Sequence, residues 1–130
     1  MMVQETDIYE QRENLYYTDY IPPDRQILKK LQLLVEKDFR RNRDVEMYAW
    51  KMNQSINYLN KLTQAYLGKT VYEVIQSRLF REAWFLLKHT TLSVKEISVE
   101  LGYCDPSYFC RWFRQKAGQS PGRFRKGGVG

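Results

Sequence analysis

Apolar residues recur at helical spacing along most of the chain. An apolar stripe after the Pro22-Pro23 pair predicts a helix from about residue 24 to residue 40. Its members are Ile27, Leu31, Leu34 and Val35. No alternating pattern of useful length predicts a β-strand. We therefore expect an all-α fold.

Capping residues divide the rest of the chain into shorter helices. Asp44 and Ser55 are N-cap candidates, because their side chains can accept a hydrogen bond from the first turn. Thr70 and Ser93 each begin a capping box, with a glutamate three residues later. Glycines that suit the left-handed position after a helix follow several of the predicted ends. The predicted helices are 44–52, 55–67, 70–88, 93–101, 105–117 and a short one from Ser120-Pro121.

Two segments about 50 residues apart resemble each other. Each predicts a short helix, a tight turn and a longer helix, which is the helix-turn-helix arrangement. At an offset of 50, Tyr58, Leu59, Lys61, Leu62 and Gly68 match Tyr108, Phe109, Arg111, Trp112 and Gly118; at 49, Tyr48, Met52 and Asn53 match Ile97, Leu101 and Gly102. One copy could occur by chance in any helical protein. Two copies joined by a long amphipathic helix are much less easily explained by chance.

The longer helix of each copy has one apolar face and one polar face. The predicted buried residues are Leu59, Leu62 and Tyr66 in the first copy and Phe109, Trp112, Phe113 and Ala117 in the second. The opposite faces are Asn57, Asn60, Lys61 and Gln64, and Ser107, Cys110, Arg111 and Arg114. None of these eight polar-face side chains is a carboxylate. Asn and Gln can pair with adenine, and Arg or Lys with guanine, in the major groove. The alternative is an ordinary solvated face.

The net charge of +6 on this 130-residue chain is unevenly distributed. Residues 1–24 contain six acidic residues and one arginine, for a net charge of −5. Residues 25–130 contain 20 basic and nine acidic residues, for a net charge of +11. A strongly basic body suits a polyanion such as nucleic acid. The alternative is a solvated basic surface without a partner.

Composition argues against several other classes of protein. No run of 18 apolar residues predicts a transmembrane helix, and the first residues do not resemble a signal peptide. The chain has one histidine, His89, and two cysteines, Cys104 and Cys110, too few for a structural zinc site. No set of nucleophile, base and orienting group can be assembled. We therefore expect a cytoplasmic protein without a metal or cofactor and without enzymatic activity.

Three stretches of the second copy carry a family resemblance. Residues 92–103 (LSVKEISVELGY), 107–114 (SYFCRWFR) and 118–121 (GQSP) resemble the AraC/XylS-type transcriptional regulator signature. The resemblance extends over about residues 25–126 and is looser in the first copy. It implies two helix-turn-helix subdomains bridged by a long linker helix, with both recognition helices entering successive major-groove segments of one DNA face.

The resemblance also assigns roles to residues. Asn57, Asn60 and Lys61 would contact bases through the first copy, as would Ser107, Cys110 and Arg111 through the second; we add Gln64 and Arg114 from the same faces. Arg78 matches a basic position of the family's linker helix. The full set predicted to contact phosphates is Ser55, Lys69, Thr70, Arg78, Ser120, Arg123, Arg125 and Lys126, although the last three could equally be solvated.

The predicted organisation has three parts. Residues 1–23 form an acidic arm or interdomain linker that we expect to be flexible, 24–126 form the double helix-turn-helix domain, and 127–130 form a flexible tail. The domain divides into a first subdomain at 24–69, a linker helix at 70–89 and a second subdomain at 90–126. Many family members also carry an N-terminal sensor domain, so the chain is either a fragment or a short stand-alone member.

Some positions depart from the family pattern. The family often has an aromatic residue where Thr63 stands, Trp50 is bulky for its helix, and Cys110 occupies a place where a small polar residue is common. The leading hypothesis is sequence-specific double-stranded DNA binding for transcription regulation, with RNA polymerase as a further partner. The alternative is a helical protein–protein interaction module without sequence-specific DNA binding.

Overall fold

The structure is a computed structural model that describes residues 21–127. Within these residues it contains seven α-helices and no strand, as the sequence predicts. The helices are α1 (Pro23–Asp38), α2 (Val45–Met52), α3 (Ile56–Leu67), α4 (Val71–His89), α5 (Val94–Glu100), α6 (Pro106–Ala117) and α7 (Pro121–Arg125). Residues 1–20 of the predicted acidic arm and residues 128–130 of the predicted tail lie outside the described part of the chain.

The predicted caps define where the helices begin. The capping boxes of Thr70 with Glu73 and of Ser93 with Glu96 are both complete, with hydrogen bonds in each direction. The bonds that Glu73 and Glu96 accept from their caps lower the pKa of both carboxyl groups. Because these contacts involve residues only three positions apart, the sequence predicts them accurately.

The internal repeat is confirmed in three dimensions. Leu59 and Phe109 are matched positions, and both are fully buried. Asn53 and Gly102 occupy equivalent turns with left-handed φ angles of 54° and 81°. The second turn uses glycine for a further reason, described below.

The linker helix α4 is the centre of the molecule. It packs against α1 and α3 on one side and against α5 and α7 on the other. Its buried residues are Val71, Ile75, Gln76, Leu79, Ala83, Leu86 and Leu87. Buried side chains from α1 to α6 join them in one apolar cluster, so both helix-turn-helix copies share a core through α4.

Several predicted core positions are more exposed than expected. Tyr66, predicted to be buried, is 46% exposed, because α3 faces the core with Leu59, Leu62 and Thr63 instead. Its ring lies 5.9 Å from the guanidinium carbon of Arg25 on the surface. In α6 only Phe109 and Phe113 are fully buried, and the predicted core residues Trp112 and Ala117 are half-buried.

Two large tryptophans also lie outside the core. Trp84 of α4 is 42% exposed. Trp50 of α2 is 77% exposed, so its bulk meets solvent and does not have to fit between helices. No helix in residues 21–127 is long and apolar enough to span a membrane.

Candidate nucleic-acid interface

The polar face of α3 displays most of its predicted base-contacting side chains. Asn57, Lys61 and Gln64 are exposed. Asn60 is half-buried, and its Oδ1 atom accepts a hydrogen bond from the backbone N–H of Val71 at 2.9 Å. This bond ties α3 to the start of α4. The carbonyl oxygen of Asn60 therefore has a structural partner, and bidentate pairing of this amide with adenine would have to break that bond.

The polar face of α6 is arranged in the same way. Ser107, Arg111 and Arg114 are exposed, whereas Cys110 is half-buried and packs against the core cluster. Tyr108, which sequence reasoning treated only as a repeat position, is 61% exposed beside these residues. The guanidinium carbon of Arg111 lies 4.7 Å from the centre of the Tyr108 ring, which supports the arginine side chain above the helix surface.

Both faces lie in stretches without acidic residues. Residues 106–127 contain six basic residues and no acidic ones, and residues 54–72 contain two lysines and no acidic ones. The two helices therefore present hydrogen-bonding groups against a positive background. A solvated helix face usually mixes both signs of charge, so this pattern favours an anionic partner.

The position of α6 on the linker helix is fixed by a hydrogen bond and by aromatic packing. The indole N–H of Trp112 donates to Oε1 of Gln76 at 2.7 Å. The rings of Phe80 and Phe113 stack with their centroids 5.3 Å apart. The recognition face of α6 is thus held in a defined orientation relative to α4.

Comparisons with known proteins identify the family. Residues 48–127 match the model of a family described as "Helix-turn-helix domain", and this match includes the stretches that resemble the AraC/XylS signature. The chain belongs to the AraC-type helix-turn-helix family. Its members are DNA-binding transcription regulators. An uncharacterized HTH-type transcriptional regulator of Bacillus subtilis, YfiF, is 34% identical to the AraC-type chain over 99 residues, which are 76% of this chain and 31% of that relative.

Solved structures agree with the AraC-type fold. The C-terminal domain of AraT, a response regulator from Geobacillus stearothermophilus, superposes with a TM-score of 0.69 at 27% identity, covering 77% of this chain and 84% of that one. The DNA-binding domain of AdpA, a global transcriptional factor, was solved in complex with a target DNA. It superposes with a TM-score of 0.65 at 20% identity, covering 81% of this chain and 91% of that one.

In the AraC-type chain, two residues predicted to contact phosphates have other partners within the protein. Arg78 donates to both carboxylate oxygens of Glu36 at 2.7 and 2.8 Å and to Glu82 at 3.1 Å, and its side chain is 16% exposed. The hydrogen bond with Arg78 lowers the pKa of Glu36, and the same pairing raises the pKa of Arg78. Since this guanidinium is already paired, we do not retain Arg78 as a phosphate contact. No sequence pattern indicates this ion pair, because Glu36 lies 42 positions away.

Arg125 is the second correction. Its guanidinium donates to the backbone carbonyls of Leu86, Leu87 and Thr90 at 3.0 to 3.3 Å. Leu86 and Leu87 lie in the last turn of α4, and Thr90 is its C-cap residue. The carbonyls that end a helix lack further backbone donors along it, although that of Leu86 still accepts the N–H and the hydroxyl of Thr90. Arg125 therefore caps the linker helix from α7, and we do not retain it as a phosphate contact either.

The other predicted phosphate contacts lie near helix starts or at the exposed C-terminal end. The hydroxyl oxygens of Ser55 and Ser120 accept backbone N–H bonds as N-caps, and each hydroxyl keeps a hydrogen to donate. The Thr70 hydroxyl also bonds to Glu73, and Lys69 donates to Ser77 at 3.0 Å. Arg123 and Lys126 are exposed.

Proposed function

We propose that this chain binds double-stranded DNA in a sequence-specific manner, with α3 and α6 in successive major-groove segments on one side of the duplex. The observation that carries the proposal is the pair of carboxylate-free polar faces on equivalent helices, both anchored to one linker helix. The 19 residues of α4 span about 28 Å at 1.5 Å per residue. In this proposal the two recognition helices reach major-groove segments one turn of DNA apart, about 34 Å.

The exposed side chains divide between the two bases that they suit. Lys61 and Arg111 suit guanine, whose O6 and N7 atoms accept hydrogen bonds in the major groove. Asn57 and Gln64 suit adenine. In this proposal Ser107, Cys110 and Arg114 of α6 make additional contacts to the bases. Asn60 contacts bases only through its NH₂ group.

Phosphate contacts in this proposal come from Ser55, Lys69, Thr70, Ser120, Arg123 and Lys126. Such contacts position the protein and strengthen binding to all sequences alike. They should make the affinity depend strongly on salt. The half-exposed Thr70 is the weakest of the set, because its hydroxyl already donates to Glu73.

The wider regulatory role also belongs to this proposal. The chain spans about a third of the length of YfiF. A longer regulator would combine DNA recognition by these residues with a separate N-terminal domain, and it would act on transcription by contacting RNA polymerase. In this role the chain recognises DNA and performs no catalysis.

Selection of bound sequences from random duplex DNA tests the proposal directly. We expect one preferred site with two separated blocks of defined bases. Recovery of no preferred sequence, or binding that does not weaken with salt, would favour the protein–protein interaction module.

Two substitutions then separate base contacts from phosphate contacts. Arg111→Ala should cost about 1–3 kcal/mol on the selected site and relax the preference at one base pair. Lys126→Ala should weaken binding to selected and random duplexes by similar factors. Both side chains are exposed, so neither substitution should disturb the folded structure. Equal losses on both duplexes for Arg111→Ala would remove Arg111 from the base-contacting set.

A further inference from the structure

The turn between α1 and α2 touches the helix-turn-helix turn of the other copy. Arg40 and Arg43 of the first copy meet Glu100, Leu101, Gly102 and Tyr103 of the second; we call these six residues the clamp. No simple sequence pattern signals it, because the interacting residues lie about 60 positions apart.

Backbone contact forms the centre of the clamp. A Cβ atom added to Gly102 would overlap the backbone carbonyl oxygen of Arg40, so no side chain fits at this position without a shift of the backbone. Gly102 also has a φ of +81°. Gly118 has the same φ, but nothing lies within 4 Å of a Cβ placed there. Glycine at 102 therefore serves both the turn and the close approach of the two copies.

Arg43 crosses between the copies with its side chain. One terminal nitrogen donates to the backbone carbonyl of Leu101. The guanidinium carbon also lies 4.3 Å from the centre of the Tyr103 ring. On its own side of the interface, the turn is held by the Tyr48 hydroxyl, which donates to the carbonyl of Asn42 at 2.7 Å.

Arg40 extends the clamp into a chain of charges. It pairs with Glu100 of α5 at 3.2 Å and with Glu82 of the linker helix. Glu82 in turn pairs with Arg78, which pairs with Glu36 of α1. One network of alternating charges thus joins α1, α4 and α5.

Apart from the clamp, the two copies are connected through α4. The helix pairs that pack most closely lie within one copy or include α4. Among residues 21–127, only the clamp supplies hydrogen bonds or ion pairs that run directly from residues 23–69 to residues 90–126. A single shared helix would leave the copies freer to rotate about it.

We propose that Arg40 and Arg43 are positioning residues that fix the angle between the two recognition helices and so restrict the protein to one spacing between its two half-sites. This inference rests on the proposed function. Adding one base pair between half-sites rotates one of them by about 35° and shifts it by about 3.4 Å. A rigid pair of helices cannot follow that change unless the DNA distorts, whereas a loosened pair can.

Binding to a spacing series tests the proposal. Each duplex carries the two blocks of the selected site. The spacer between the blocks is one base pair shorter, unchanged, or one or two base pairs longer. The native protein should lose about tenfold in affinity per base pair of change, an amount comparable to one mismatch. Arg43→Ala should reduce that loss to less than about threefold. Arg41→Ala is the matched control, because Arg41 lies in the same turn, is exposed, and its side chain forms no hydrogen bond or ion pair with any described residue; its backbone N–H bond to Asp38 is kept in the variant.

A distance measurement on the free protein gives an independent readout. Spin labels at exposed Ala65 of α3 and Gln115 of α6, in a chain with Cys104 and Cys110 changed to Ser, report the distance between the recognition helices. We expect a narrow distance distribution in the native background and a broader one with Gly102→Ala. Gly118→Ala carries the same backbone strain without the clash, so it should leave the distribution narrow.

The outcomes separate this inference from the proposed function. Failure of the native protein to prefer any sequence would overturn the function. A native spacing preference that Arg43→Ala leaves unchanged, or a distribution that Gly102→Ala does not broaden beyond Gly118→Ala, would overturn the clamp alone. If Arg43→Ala does not fold, Arg40→Gln keeps the test open, because it removes the ion pairs with Glu100 and Glu82 and leaves Arg43 in place. An unrelaxed spacing preference in that variant would overturn the proposal.

Discussion

The hydrogen bond between Gln76 and Trp112 should couple the second recognition helix to the linker helix. Gln76 is 6% exposed, and its Oε1 atom accepts the indole N–H of Trp112 at 2.7 Å. Gln76→Met keeps a side chain of similar length and removes the acceptor. The indole N–H then has no partner in a half-buried site. We expect a loss of about 1–3 kcal/mol in the free energy of unfolding.

A double-mutant cycle isolates this interaction from packing. Trp112→Phe removes the donor and also part of the aromatic contact with Phe80, whose ring centroid lies 6.1 Å from that of Trp112. If the polar pair matters, Gln76→Met should cost much less in the Trp112→Phe background than in the native one. We expect a coupling energy of about 1–2 kcal/mol, because removing both partners leaves no unpaired group.

Urea unfolding followed by far-ultraviolet circular dichroism measures the cycle without relying on tryptophan fluorescence. Gln76→Met should lower the midpoint by about 1 M urea, given the slopes typical of small domains. Each variant should also be titrated with the selected DNA, since a tilted α6 should weaken binding through the second half-site. Additive losses in the two single variants would show that the bond does not orient α6 and would refute this reasoning.

Two further predictions concern the carboxyl groups of the capping boxes and Arg125 of α7. The folded-state pKa values of Glu36, Glu73 and Glu96 lie below their ordinary value, so the stability they contribute is present above about pH 4.5 and is lost as the pH falls through their lowered values. Gln in place of both Glu73 and Glu96 should flatten the fall in unfolding free energy between pH 5 and pH 3; an unchanged slope would contradict the assignment. Arg125→Ala should cost about 1–3 kcal/mol of stability, because it uncaps α4. Lys126→Ala should stay within about 0.5 kcal/mol in the same melting experiment, and equal losses would argue against the cap.

The sequence predicted well those features that depend on neighbouring residues. The capping boxes of Thr70 and Ser93 were correct to the residue, because each forms within one turn. The repeat was also predictable, since both turns need a residue that tolerates a left-handed φ angle, and Asn53 and Gly102 both do. The periodicity of α3 indicated an apolar face but not its limits, so Tyr66 was placed in the core although the neighbouring helices leave it exposed.

Contacts between distant residues could not be predicted. Arg78 matched a basic position of the family, and only the fold shows that Glu36 and Glu82 hold its guanidinium. Arg125 looked like one of several basic residues near the C-terminal end, but α7 brings it to the carbonyls that end α4. Gly102 was identified only as a repeat position that follows a helix, whereas a Cβ atom placed there would meet the backbone carbonyl of Arg40 in the other copy.

Protection of DNA by a single molecule tests the central claim most directly. Guanine-N7 methylation protection and hydroxyl-radical footprinting would be carried out on the selected site, with the 1:1 complex confirmed by sedimentation. Docking of both α3 and α6 predicts a footprint of about 16–20 base pairs, with two protected major-groove segments about one turn apart. A footprint under ten base pairs, or one protected segment alone, would contradict simultaneous docking of the two helices.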